Sequence, residues 1–132
     1  TDLGKVRDRE WDRGCVYWAR ADGSEIKEVA FPLTTPNGCG LSPDGKILYV
    51  AETQTGRVWA YDIVAPGEVK KQPWPSPSCG RMLAGVGGYN LFDSLAVDAD
   101  GNVCVATLFN PGITVVSPSG NWRHIALPGD PY

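Results

Sequence analysis

Apolar and polar positions alternate with a period of two along most of this chain, so the elements it predicts are strands. The stretch GCVYWARAD at 14–22 alternates, is rich in aromatic residues and stops at the turn pair Asp22-Gly23. SEIKEVAF at 24–31 alternates again, and the two runs form a predicted hairpin. NGCGLS at 37–42 leads into the turn Pro43-Asp44-Gly45. KILYVAET at 46–53 and GRVWAYDI at 56–63 follow, with a weaker strand over 68–74. Pro, Ser and Gly then crowd the chain, and 75–91 is expected to be an irregular loop. A second round follows: FDSLAVD at 92–98, NVCVATL at 102–108, PGITVVSPSG at 111–120 and NWRHIALP at 121–128. No window carries a helical period.

The two rounds are copies of each other. Asp44-Gly45 aligns with Asp100-Gly101, Leu41 with Val97 and Asn37 with Asp93, all at an offset of 56. Beyond the turn the offset is 55, which pairs Tyr49-Val50-Ala51 with Cys104-Val105-Ala106. A unit of four short strands repeated in tandem, with Asp-Gly turns and an aromatic third strand, is the pattern of a β-propeller blade. The segment 14–31 matches the second half of a unit. The expected fold is therefore all-β, about two and a half four-stranded blades of a propeller: a half blade at 14–31, a blade at 37–74 and a blade at 92–127. Propellers close at about four or more blades, so the rest of the ring has to come from more chain or from self-association.

Composition narrows the function classes. The chain has 132 residues with sixteen Gly and eleven Pro, which suits a turn-dense β protein. Its net charge of −3 offers no electrostatic footprint for nucleic acid or an anionic membrane, so neither is an expected partner. No apolar run approaches the ~20 residues of a membrane helix, and no signal peptide opens the chain. The first residue, Thr1, is not Met, so the chain is expected to begin at a processing boundary or the edge of a fragment. Cys15, Cys39, Cys79 and Cys104 include no Cys-x-x-Cys pair, and His124 is the only His, which argues against structural zinc. Cys15, Cys39 and Cys104 lie in strand-like stretches and are expected to be small core residues, in keeping with a reducing, cytoplasmic setting.

The candidate chemistry sits at the start of each repeat. In a propeller the first strands line the central channel, so Asn37 and Asp93, at equivalent positions of neighbouring blades, should converge on one axial point. An amide oxygen and a carboxylate are hard donors suited to Ca²⁺, Mg²⁺ or Mn²⁺, and also to Zn²⁺. A cation there would polarise a carbonyl and acidify a bound water, and Asp93 lies within reach to take its proton. Asn37-Gly38 is otherwise an ordinary turn pair, and Asp93 a strand-start residue. Asp22, Asp44 and Asp100 read as turn residues, and His124 as a surface residue on a last strand. Trp59, Tyr61, Trp18 and Tyr17 read as core between blades. Lys5, Arg7 and Arg9 read as a solvated loop. The glycine run 85–88 has no following Lys-Ser/Thr and no helix, so it is no phosphate loop. Its place before Asp93 puts it at the channel mouth.

The stretches TPNGCGLSPDGKILYVAETQTGRVWAYDI and LFDSLAVDADGNVCVATLFNPGITVVSPSG, with DRGCVYWARADGSEIKEVAFP before them, resemble the family of gluconolactonase, senescence marker protein and luciferin-regenerating enzyme. The resemblance covers essentially the whole chain. It implies a six-bladed propeller of which this is the middle portion, and hydrolysis of a sugar or related lactone assisted by one divalent cation, most commonly calcium. It further implies that Asn37, in the Pro-Asn-Gly motif, and Asp93 are two of the metal ligands; the role of Asp93 as catalytic base rests on the chemistry above. The family's third ligand, a Glu of the first blade, and its upstream substrate contacts have no counterpart here, so the isolated chain is expected to be weak or inactive. Ser94 stands where the family often has Gly. Two other readings remain at this level: a non-catalytic propeller used for binding or assembly, and a relative of the strictosidine-synthase type without the metal pair.

Overall fold

A computed structural model describes residues 13–129, together with the backbone of two short strands, β1 (Val6–Arg7) and β2 (Glu10–Trp11), which pair antiparallel. The expectation for Lys5, Arg7 and Arg9 lies outside the described side chains. Three further sheets follow in chain order, all antiparallel. β3 (Gly14–Ala19) and β4 (Ile26–Leu33) form a hairpin. β5 (Pro36–Leu41), β6 (Ile47–Glu52) and β7 (Arg57–Ala65) form a meander whose outer edge carries both β8 (Glu68–Val69) and β9 (Arg81–Gly85). β10 (Phe92–Val97), β11 (Val103–Thr107), β12 (Gly112–Val116) and β13 (Trp122–Ala126) form the last meander.

The outer edge of the middle sheet corrects the sequence reading. Strand pairing over 68–74 is confined to Glu68–Val69, and the segment expected to be an irregular loop contains β9. β8 pairs with Ile63 and Ala65, the Lys70 amide donates to the Asp62 carbonyl, and β9 resumes against Arg57–Ala60. The fourth strand is thus one ladder interrupted opposite Tyr61 by an excursion over 71–80. Pro73, Pro75 and Pro77 have no N–H to offer a ladder, which is why the chain leaves it there. Tyr61 fills the gap: its hydroxyl donates to the Ser78 carbonyl at 3.1 Å, and its ring lies where a Gly80 side chain would be.

Burial pushes the Tyr61 phenol up to about 12, whereas an unfolded tyrosine ionises near 10. A raised folded value means the phenol stabilises the fold fully below pH ~10 and loses that contribution as the pH rises toward ~12. The urea midpoint should therefore fall between pH 9 and pH 11, and Tyr61→Phe should flatten part of that fall. An unchanged pH dependence in Tyr61→Phe would contradict this role.

β6 and the first half of β7 are buried on both faces, which explains why ILYVAE is nearly all apolar. Leu48 and Val50, with Trp59 and Tyr61, pack against Val16, Val29, Ala30 and Leu33 of the first hairpin. Tyr49 and Ala51, with Val58 and Ala60, pack the other way onto Phe92, Val103, Val105 and Val116 of the last sheet. Burying each such side chain contributes about 1.5–3 kcal/mol, so these two seams fix how neighbouring sheets sit on each other.

Other expectations about core residues need correction. Trp59 and Tyr61 are buried, but Trp18 is half-buried and Tyr17 exposed. Of the cysteines expected inside, only Cys15 is buried; Cys104 is half-buried, Cys39 is exposed, and all four are free. Gly38 and Gly40 face β10, so alternation turns Cys39 and Leu41 to the opposite side. An inner strand of the first sheet would cover that side, and the described residues contain none. His124 is not a surface residue: it is half-buried with its ring over Gly112, its Nδ1 3.3 Å from the Thr114 hydroxyl and its Nε2 buried.

The Asp-Gly turns behave as read, with one difference. Asp22 and Asp44 each close their own turn through Oδ1, but in the third turn Asp98, not Asp100, accepts the Asp100 and Asn102 amides. Side-chain hydrogen bonds from Ser24, Ser42 and Asn102, in that order, hold these three exposed carboxyls below the usual aspartate range.

Candidate metal centre between adjacent inner strands

Asn37 and Asp93 occupy the same bulge in two copies of one strand pair. In β5 against β6, Pro36 faces Glu52 and Cys39 faces Val50, with a register shift between. In β10 against β11, Phe92 faces Thr107 and Leu95 faces Val105, with the same shift. The extra residue of a bulge re-aims a side chain out of the pleat, and here it does so at Asn37-Gly38 and Asp93-Ser94 alike. Both bulges lie at the offset of 56; the change to 55 arises in the hairpin loop that follows, which is one residue shorter between Val97 and Val103 than between Leu41 and Leu48.

The two bulges touch. Asn37 Nδ2 donates to Asp93 Oδ1 at 2.6 Å and lies 3.3 Å from the Thr53 hydroxyl. Gly38 makes the approach possible: a Cβ there would collide with the Leu95 main-chain nitrogen and sit 2.8 Å from the Asp93 carbonyl oxygen. Both side chains are half-buried, screened from bulk water yet open to a ligand. Asp93 Oδ2 has no hydrogen bond among the described residues, so it can accept a proton or a cation.

These donors fit part of a hard-cation site. The Asn37 amide is nearly symmetric, and a half-turn exchanges Nδ2 for Oδ1, which puts two oxygen donors side by side. Two are fewer than the 6–8 oxygens that calcium takes. Among the described residues no cluster of three or more His, Cys, Asp or Glu is placed to hold a metal.

Neighbouring features escaped the sequence reading. Glu52, in the strand beside Asn37, is buried: Oε1 accepts the Thr34 amide at 2.6 Å and Oε2 the Thr55 hydroxyl at 2.6 Å, which ties down the chain leading to Asn37. Alternation of KILYVAET placed Glu52 no differently from a solvated strand end, so only the contact reveals it. The loop before Asp93 carries Tyr89, whose exposed ring packs against exposed Phe109 from the β11–β12 turn, with centroids 4.7 Å apart and the planes tilted by 53°. The glycine run 85–88 leads into this pair, at the strand ends where Asp93 sits.

The profile of the SMP-30/gluconolactonase/LRE-like region matches residues 1–132. The chain belongs to that family. A lactonase, drp35, of Staphylococcus saprophyticus is 29% identical over 118 residues, spanning 89% of this chain and 35% of its own length. The diisopropyl-fluorophosphatase of Loligo vulgaris is 31% identical over 112 residues, spanning 81% of the chain and 33% of its own length. Among solved structures, a gluconolactonase of Xanthomonas campestris superposes with a TM-score of 0.70 at 28% identity, over 93% of this chain and 38% of that one. The SMP-30/gluconolactonase-like chain thus spans about a third of the length of the curated relatives it matches. Its three sheets are part of a β-propeller. No helix among its described residues is long and apolar enough to cross a membrane.

Proposed function

We propose that this chain is the part of a metal-dependent lactonase that supplies the ligands Asn37 and Asp93, and that Asp93 is also the base. The observation that carries this reading is the 2.6 Å contact between two hard-donor side chains at matched bulges of adjacent inner strands. Relatives named as lactonases and a gluconolactonase support hydrolysis as the reaction class. Calcium is the first choice of cation on the donor set, ahead of magnesium, manganese and zinc. When bound, the cation would act as a Lewis acid on the ester carbonyl and lower the pKa of a coordinated water.

The chain's own residues do the rest. Asp93 Oδ2 takes the proton of the attacking water, and the ring ester opens to a hydroxy acid. Without a cation Asn37 holds the Asp93 carboxyl through Oδ1; with the amide turned, Asn37 and Asp93 would each offer one oxygen to the cation, leaving Asp93 Oδ2 for the reaction. The Tyr89–Phe109 pair at the same strand ends offers an apolar wall on which the face of a sugar-derived ring can rest. The remaining ligand and the rest of a six-bladed ring come from outside these 132 residues, by more chain or by association, so the isolated segment should turn over little. Four free thiols fit a reducing, cytoplasmic setting for the protein.

The test is metal removal. Activity on glucono-lactone should fall to background in excess chelator and return on adding Ca²⁺. Activity unchanged by chelation would overturn the metal's role. Faster turnover of a fluorophosphate than of any lactone would transfer the assignment to the chemistry named for the Loligo relative.

A further inference from the structure

A second polar cavity, of about 160 Å³, lies between the first hairpin and the second blade. Arg13, Thr34, Glu52, Arg57, Trp59 and Ser78 line it. It includes neither Asn37 nor Asp93, and the lactonase mechanism uses none of its groups.

Its hydrogen-bond inventory is lopsided. Both Glu52 oxygens already accept a bond, from the Thr34 amide and the Thr55 hydroxyl. Arg13 spends one guanidinium nitrogen on the Thr34 hydroxyl at 2.7 Å. The Arg57 side chain makes no hydrogen bond or ion pair among the described residues. Trp59 is 3% exposed, and its indole Nε1, a donor only, is buried with no partner among them. A buried donor left without an acceptor is costly. The wall therefore carries two guanidinium groups against one engaged carboxylate, beside Trp59, whose indole N–H is buried and unpaired. Water satisfies this poorly, because each molecule brings two protons that need acceptors of their own. A carboxylate brings two acceptor oxygens and no proton, and it matches a guanidinium fork.

The cavity also has a neighbour. A cleft of about 310 Å³ shares Arg57, Trp59 and Pro77 with it and runs under the 71–80 excursion along Pro75 and Met82. Its lining beyond Arg57 is mostly apolar. We propose that the two form one binding site for a small amphipathic carboxylic acid, with the carboxylate against Arg57 and the Trp59 indole N–H and the apolar body in the cleft. This site does not depend on the lactonase assignment.

Sodium hexanoate is the probe, with 1-hexanol as the control that keeps the apolar body and lacks the head. The protein carrying these 132 residues is labelled with ¹⁵N-tryptophan, and the Trp59 indole signal is identified by its loss in Trp59→Phe. Hexanoate should shift that signal saturably and bind at least about tenfold more tightly than hexanol, and Arg57→Gln should weaken hexanoate by about tenfold or more. Absence of a saturable shift, equal binding of hexanol, or an Arg57→Gln variant that binds normally would each overturn the proposal. Should Trp59→Phe fail to fold, calorimetry of hexanoate on wild type and Arg57→Gln, whose half-buried side chain can be shortened without opening the core, decides the question by the same criterion.

Discussion

Asp93→Ala should lower lactone turnover by about 10²–10⁴-fold, the range expected for loss of a positioned base. The fold should survive, because the side chain is half-buried and Asn37 keeps the Thr53 hydroxyl as a neighbour. Asp93 is assigned two tasks, and Asp93→Asn separates them. The amide retains an oxygen donor for the cation but cannot accept the water proton. Calcium affinity should therefore fall less in Asp93→Asn than in Asp93→Ala, while kcat collapses in both. Full activity in either variant, measured on the protein carrying these 132 residues, would remove Asp93 from the mechanism.

Gly38→Ala is the second large effect, and it acts through the backbone. An added methyl would meet main-chain atoms of Asp93, Ser94 and Leu95. Strand backbone cannot swing aside as the end of a flexible side chain can, so β5 and β10 must separate. Overpacking of this kind costs about 1–3 kcal/mol and should lower the melting temperature accordingly. Separation also breaks the 2.6 Å contact between Asn37 and Asp93, so cation affinity should fall as well. Gly45→Ala is the control. It sits in a turn with nothing within 4 Å of the added methyl, at φ 69°, so it strains the backbone locally and should leave cation affinity untouched. Equal losses of cation affinity in the two variants would show that Gly38 has no special place at the site.

Much of this was legible in the sequence because the chain repeats. A period-2 pattern with Asp-Gly turns named the strands, and the 56-residue offset placed Asn37 and Asp93 in register. What the pattern could not convey was local. The fourth strand of the middle blade is split by a Pro-rich excursion, so neither half reads as a strand: β8 is two residues, and β9 is a five-residue run set after Pro73, Pro75 and Pro77. Cys39 alternates like a core residue, yet it is exposed, because Gly38 and Gly40 on either side of it are the ones that face β10. His124 lies on a strand of mostly exposed side chains and is drawn inward because Gly112 leaves room for its ring. The buried pairing of Glu52 and the unpaired Trp59 indole depend on which strand ends meet, which no single-strand pattern encodes.

The central claim is that Asn37 and Asp93 hold one cation between two inner strands. Mn²⁺ diffused into crystals of the protein, with anomalous diffraction recorded at the manganese edge, tests it directly. The account predicts one anomalous peak within bonding distance of Asn37 Oδ1 and an Asp93 carboxyl oxygen, with the Asn37 amide turned from its present hydrogen bond. A peak elsewhere, or Asn37 Nδ2 still donating to Asp93 with no cation between them at saturating Mn²⁺, would contradict it.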